Sequence, residues 1–274
     1  MPVAGRQDRT RKAATAARMY DYFLGGVHNF PADREAAKQI IAQYPLAAVA
    51  VRTNRAFLGR AVRFLVEAGV RQFLDLGSGM PTVGNVHEIA AQTVPDSRVV
   101  YVDIDPVAVA ESLELLTGNP LVTAILGDVC APEKILGHVQ VRQLLDFNQP
   151  IALLMVALLH FVPDNDTAYR VVSTLVDALA PGSYVVISHT TTDGLTFSSE
   201  EVTRAQDIYR RQTSTPIRPR SRAETVRFFA GTDLLAPGVV PVPVWRADPQ
   251  DPTDFADNPA GSGFLGGIGK IHSQ

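Results

Sequence analysis

The sequence predicts an α/β fold in which a mostly parallel sheet, covered by helices on both faces, is preceded by a helical cap. Three observations carry this. From residue 72 onward, short apolar runs rich in β-formers alternate with helix-patterned segments. The first of these runs holds Asp75 and breaks at Gly77-Ser78-Gly79, and the second ends on Asp103. The 274 residues, 46% of them hydrophobic, suffice for one substantial core plus a small cap.

The elements follow in order. Segments 10–24, 32–43 and 46–68 are helical by composition and periodicity, with breaks at Gly25-Gly26, Pro31 and Pro45. They predict a cap over residues 1–70, with 1–12 as a flexible tail, on a main domain of residues 71–274. The first strand covers residues 72–76. The next helix starts between Thr82 and Asn85, where Asn85-Val86-His87-Glu88 fits a capping box. The second strand is 98–103. Asp105 then caps a helix with Pro106 at its first position, and Gly118 and Pro120 lie beyond its end.

Residues 121–126 form the third strand, closing on Gly127-Asp128, and 150–157 read as a fully buried central strand. A helix over 164–180 stops at Pro181-Gly182, and 183–188 is the fifth strand. A helix over 199–212 precedes a Pro- and Arg-rich loop, after which Ser221-Arg222-Ala223-Glu224 opens a helix to Phe229. Two further strands are expected at 239–245 and 264–271, separated by a mobile loop rich in Asp, Pro and Gly.

Composition narrows the function. A net charge of −3 gives no reason to expect nucleic-acid binding. The basic cluster Arg6, Arg9, Arg11, Lys12 and Arg18 reads as a solvated tail rather than a phosphate- or membrane-seeking arm. Cys130 is the only cysteine, which excludes an internal disulfide and a thiolate metal cluster and fits a small buried hydrophobe. No secretory signal or bilayer-length apolar run is present, so a soluble cytoplasmic protein is expected. No side-chain spacing makes a metal site.

The turn after the first strand discriminates between cofactors. A dinucleotide fingerprint needs a third small residue after the second glycine, and here Met80-Pro81-Thr82 follows instead. Asp75 would also repel a pyrophosphate. That acid suits a cofactor with an ammonium group, such as the methionine end of S-adenosyl-L-methionine, whose product is S-adenosyl-L-homocysteine. Gly77, Ser78, Gly79 and Met80 would let the backbone approach it. Asp103 is placed to accept both ribose hydroxyls. Asp128 is placed to accept from the adenine amine, with the Val129 backbone on a ring nitrogen and Ile104 against the adenine face. Two of these acids have competing roles: Asp105 as a helix cap and Asp128 as a turn residue.

At these residues the sequence resembles the class I S-adenosylmethionine-dependent methyltransferases, and more narrowly the actinobacterial S-adenosyl methyltransferase family, formerly a domain of unknown function. The matching segments run nearly end to end. They include Ala17 to Gly26 with Asn29, Asp33 and Arg34; Asn54 to Leu58; Phe73 to Thr82; Asn85 to Glu88; Val99 to Pro106; Leu158 to Asp164; Pro181 to Tyr184; and Arg227 to Phe229. The resemblance implies a Rossmann-like, seven-stranded sheet whose last strand inserts antiparallel beside the fifth, with the cofactor across the first strand ends. It implies no particular substrate.

Methyl transfer asks mainly for alignment and a dry pocket, with a base where the acceptor must lose a proton. His160, after the central strand, and Tyr20, in the cap, are the candidate catalytic residues; His189 is a further eligible base. Tyr20 and Tyr22 cannot share a helix face, so one closes over the cofactor while the other joins the core. Asn54 and Arg55 are expected to line the same lid, and Ala157, ending the central strand, is a further cofactor contact. The expected activity is methyl transfer to a small-molecule acceptor. A non-catalytic S-adenosylmethionine-binding protein and a nicotinamide-dependent oxidoreductase are the alternatives, and oligomeric state stays open.

Overall fold

The computed structural model describes residues 13–81, 84–195, 203–204, 207–208, 210–211, 213 and 216–272. Three helices come first: α1 (Ala16–Phe23), α2 (Pro31–Gln43) and α3 (Ala47–Glu67). Helix α1 starts later than the sequence pattern implied because Thr15 caps it, accepting from the Arg18 N–H. Pro31 takes the first position of α2, where a missing N–H costs nothing. The carboxylate of Asp33 returns to the Phe30 N–H at 2.7 Å. Arg18 corrects an expectation: it is 2% exposed and ion-paired, not part of a solvated tail. The other basic residues of that cluster, and the expected tail 1–12, lie outside the described residues.

The sheet is built from β1 (Gln72–Leu76), β2 (Arg98–Asp103), β3 (Val122–Leu126), β4 (Ala152–Val156), β5 (Tyr184–Thr190), β6 (Thr232–Leu234), β7 (Val240–Pro241) and β8 (Phe264–Ile271). Their order is β3-β2-β1-β4-β5-β8-β6, with β7 also on β8. Strands β1 to β5 are mutually parallel. Strand β8 runs antiparallel to β5, from Tyr184 opposite Lys270 to Thr190 opposite Phe264. Helices α4 (Val86–Ala91), α5 (Pro106–Leu115), α6 (Pro132–Leu136), α7 (Val139–Leu144) and α8 (Asn165–Asp177) fill the connections.

Alternation along the strands explains why both faces are covered. Phe73, Val99, Ala152 and Val186 point to the face carrying α3, whose Phe57, Ala61 and Leu65 complete that core. Leu74, Val100, Leu153 and Val185 point to the other, where Ile135, Val141 and Leu175 cover them. A third cluster joins the first three helices through Met19, Phe23, Ala36, Ile40 and Val51. Among the described residues no helix is long and apolar enough to cross a membrane.

Several expectations are corrected. The sheet has eight strands rather than seven. The additional one, β6, is three residues long and too short to show a period. The strand expected at 239–245 shrinks to Val240–Pro241 and continues as a 3-10 turn, Val242–Val244, because Pro241 and Pro243 offer no N–H to a ladder. The loop between the last two strands is packed rather than free: Phe255 and Ser262 are buried, and Arg60 of α3 donates to Asp251 and to Trp245 O. The helix expected over 199–212 falls largely outside the described residues.

Candidate active site

Because β1 to β5 are parallel, their C-terminal ends converge on one edge, and the strand order reverses between β1 and β4. That switch point opens a crevice. A cavity of about 540 Å³ occupies it, running from the end of β3 across to the start of β8 and bordered by the first three helices.

At the end of β1, Asp75 is buried and forms no hydrogen bond with any described residue. Burial pushes its carboxyl up to about 7, with Asp103 adding to the rise and Arg55 opposing it. The Gly77 and Ser78 N–H groups donate to Val102 O at 2.8 and 3.2 Å, which folds the turn back over β2. Gly77 sits at φ +68°, and a Cβ there would meet Leu158 Cδ1 at 2.5 Å, so both backbone conformation and space require glycine. The Gly79 N–H donates to Asp103 Oδ2 at 2.7 Å, and Met80 closes the turn, buried against the cavity.

At the end of β2, Asp103 also accepts the Asp105 N–H on Oδ1 at 2.8 Å. Each oxygen keeps a lone pair for a ligand. Burial raises its pKa. Ile104 stands 67% exposed at the cavity wall, an apolar surface with nothing against it. Asp105 is a cap, accepting from Val107 N at 2.9 Å. It does more: its Oδ2 accepts from Thr15 Oγ1 and Arg18 Nη1, both at 2.8 Å. Arg18 Nε also donates to Asp33 at 2.9 Å, so one buried guanidinium ties α1 and α2 to the end of β2.

After β3, Asp128 accepts the Cys130 N–H on Oδ1 at 2.8 Å, so it is a turn residue that also lines the cavity. Val129 lines it as well. Cys130 is exposed at this wall rather than buried, because the Asp128 turn points it outward. After β4, Ala157 adopts φ +54°, unusual for a residue with a side chain, and its N–H is shared between Ser188 O and Oγ.

His160 lies in the 3-10 turn Leu159–Phe161, 4% exposed, on the cavity wall. Its Nδ1 has no partner, and burial, then the neighbouring His189 and Arg220, hold its pKa well below the usual value. His189 does not line the cavity. Its Nδ1 donates to Thr190 O at 2.7 Å, which leaves Nε2 to accept from Arg220 at 2.9 Å, and burial lowers it to about 4. The imidazole is therefore committed to structure.

Among the helices, Tyr20 and Tyr22 both pack against the helical cluster, and of the two only Tyr20 also lines the cavity. Burial raises the Tyr20 pKa, so it is a neutral phenol and not a base. Asn54 departs from expectation. It is fully buried behind Tyr20, donating to the phenol oxygen at 2.9 Å, and does not reach the cavity. Arg55 does reach it, between Asp75 and Asn85 Oδ1 at 3.4 Å. The structure thus brings the residues singled out for the site to the cavity wall, except Asn54 and His189. Sequence reasoning missed Thr15, Asp33 and Arg220, whose bonds at the site's edge reach residues 15 or more positions away, and Thr190, whose hydroxyl has no partner among the described residues; none of these leaves a local signal.

A sequence profile described as S-adenosyl methyltransferase matches residues 4–272. A crystal structure of a candidate methyltransferase from Thermobifida fusca YX is 39% identical, covering 99% of this chain and 100% of that one, with a TM-score of 0.89. A DUF574-family protein from Streptomyces avermitilis MA-4680 is 38% identical over 94% of this chain and 98% of its own, with a TM-score of 0.88. A SAM-dependent methyltransferase from Methanosarcina mazei, 14% identical over 74% and 93% of the two chains, shares the fold at a TM-score of 0.50. No curated protein matches. The chain belongs to the S-adenosyl methyltransferase family, and is an enzyme whose cofactor is S-adenosyl-L-methionine.

Proposed function

We propose that the crevice transfers a methyl group from S-adenosyl-L-methionine to a small-molecule acceptor, the cofactor lying across the ends of β1 to β3 and the acceptor across β4, β5 and β8. One observation carries this reading. The buried carboxylate of Asp75, with no hydrogen bond to a described residue and beside a turn too tight for a Cβ at Gly77, fits an ammonium group approached by backbone. Asp103, already oriented by two N–H groups, offers its remaining lone pairs to ribose hydroxyls. Ile104 supplies an apolar face for adenine, with Asp128 and Val129 at its edge.

The bound cofactor supplies an activated methyl on a sulfonium, so the protein's task is alignment and exclusion of water. In this reading residues 1–70 act as a cap on the domain 71–274. Tyr20 closes over the cofactor with Asn54 fixing its hydroxyl, and Ala157 borders the methyl position at the switch point. His160 faces the acceptor. The small-molecule preference is supported by the size of the cavity and by helices bordering it.

The test is incubation with methyl-labelled cofactor and a size-fractionated cell extract. Label is expected in the small-molecule fraction. Label confined to protein or nucleic acid would overturn the acceptor class, and no label at all despite S-adenosylhomocysteine binding would leave a binding protein without turnover.

A further inference from the structure

The cavity wall changes character at the switch point. Asp75, Asp103, Asp105 and Asp128 line it on the β1–β3 side. From Val156 to Phe264, no described lining residue carries a formal charge. Phe161, Leu195, Ile217 and Phe264 dominate there, with Thr190 and His160 as the polar groups the argument uses. A charged acceptor would lose its hydration in this half and find no counter-charge among the described lining residues.

Both polar groups lack protein partners. Thr190 Oγ1 and His160 Nδ1 are buried with no hydrogen bond, and the His160 ring is held against Phe161 at 4.3 Å between centroids. Behind it, Arg220 is 1% exposed and distributes its donors over Leu159 O, Val162 O, Asn165 Oδ1 and His189 Nε2, none of them a carboxylate. Its charge reaches His160 and, with burial and His189, opposes an imidazolium there. His160 is thus a neutral ring with one N–H and one lone pair. A hydroxyl, which both donates and accepts, complements either tautomer.

We infer that this half seats an uncharged, largely apolar acceptor bearing a phenolic or enolic hydroxyl, with His160 as that hydroxyl's hydrogen-bond partner. The inference rests on the methyl-transfer reading of the crevice. An aliphatic amine would arrive as an ammonium and a carboxylic acid as an anion, and the described lining of this half pairs neither. In the transfer, the O–H bond breaks and an O–C bond forms at the methyl carbon. The S–C bond breaks with its electron pair left on sulfur. The proton passes to water, because His160 cannot hold it beside Arg220, and this is why the hydroxyl has to be acidic. His160 positions the oxygen rather than removing its proton.

Four probes of one shape test this on the protein saturated with S-adenosylhomocysteine: 2-naphthol, naphthalene, 2-naphthoate and 2-naphthylmethylammonium. Fluorescence titration should show 2-naphthol binding about tenfold tighter than naphthalene, the worth of one hydrogen bond. Both ions should bind more weakly than naphthalene. H160F should erase the naphthol preference, and H160Q, which keeps a hydrogen-bonding group, should restore part of it. An ion binding as tightly as naphthol, equal binding of naphthol and naphthalene, or no naphthyl binding at all would overturn the inference; the wild-type series decides this even if the variants fail to fold. Failure of S-adenosylhomocysteine itself to bind would instead sink the methyl-transfer reading on which it stands.

Discussion

Over β1 to β3 the crevice wall carries four carboxylates, while over β4, β5 and β8 it carries none among the described residues. The helices bordering it follow the same division. They meet the acidic end through the Arg18 guanidinium on Asp33 and Asp105, and the neutral end through the Tyr44 hydroxyl, which donates to Gly261 O at 2.6 Å. Three of the four carboxylates at the acidic end, Asp103, Asp105 and Asp128, are oriented by backbone N–H groups in the turns after the strands. At the neutral end, the 3-10 turn carrying His160 is held by a buried arginine on carbonyls. One strand edge thus presents two environments, acidic over β1 to β3 and uncharged among the described residues over β4, β5 and β8.

Breaking the acidic end of that contrast should have the largest effect. R18M leaves Asp33 and Asp105, at 0% and 7% exposure, without their cation. A loss of about 3–5 kcal/mol in urea denaturation is expected, since a buried charge is left unpaired. A change below about 1 kcal/mol would mean that charge does not hold the helices there. Next comes the junction between the two ends. G77A adds a methyl at φ +68° against Leu158 and should cost about 2–4 kcal/mol, the sum of a left-handed penalty and overpacking.

Asp103 sharpens the comparison through binding rather than folding. D103A should weaken S-adenosylhomocysteine by about 1.5–3 kcal/mol in calorimetry if its charged hydrogen bonds hold the ribose. Unchanged affinity would remove it from that role.

The smallest effect is a pH dependence. Free Asp75 keeps its proton up to about pH 7, whereas an adjacent ammonium favours the carboxylate. Binding below pH 7 therefore expels a proton, and affinity for S-adenosylhomocysteine should rise with pH, by about tenfold per unit at most, then level off. D75N should abolish the slope. In the free protein the sign for stability is opposite. The unfolded chain ionises this group near 3.8, so its contribution declines as pH climbs from there to about 7.

The strands β1 to β5 and the caps at Asn85, Asp105 and Ser221 were legible because their signals are local: an apolar run, a proline, a carboxylate or hydroxyl at a fixed offset. The acidic end of the site was legible for the same reason, each acid sitting at or just past a strand end. What escaped is non-local. Arg18 looked like one of a row of tail cations until Asp105, 87 residues away, gave it a partner. Arg220 sat in a stretch that composition could only describe as rich in proline and arginine. Asn54 stands behind Tyr20 rather than at the cavity, since periodicity locates a helix face and not what stands in front of it.

Strand β8 carries a further consequence. At Gly266 an added Cβ would lie 2.8 Å from the ring of Phe57 and 3.0 Å from Val242. Phe57 belongs to the same helix as Val51 and Arg55, which border the crevice. A single methyl at Gly266 would thus press on Phe57, and through it on the helix that borders the crevice. Loss of ligand affinity in such a variant would have its origin in a residue that touches no ligand.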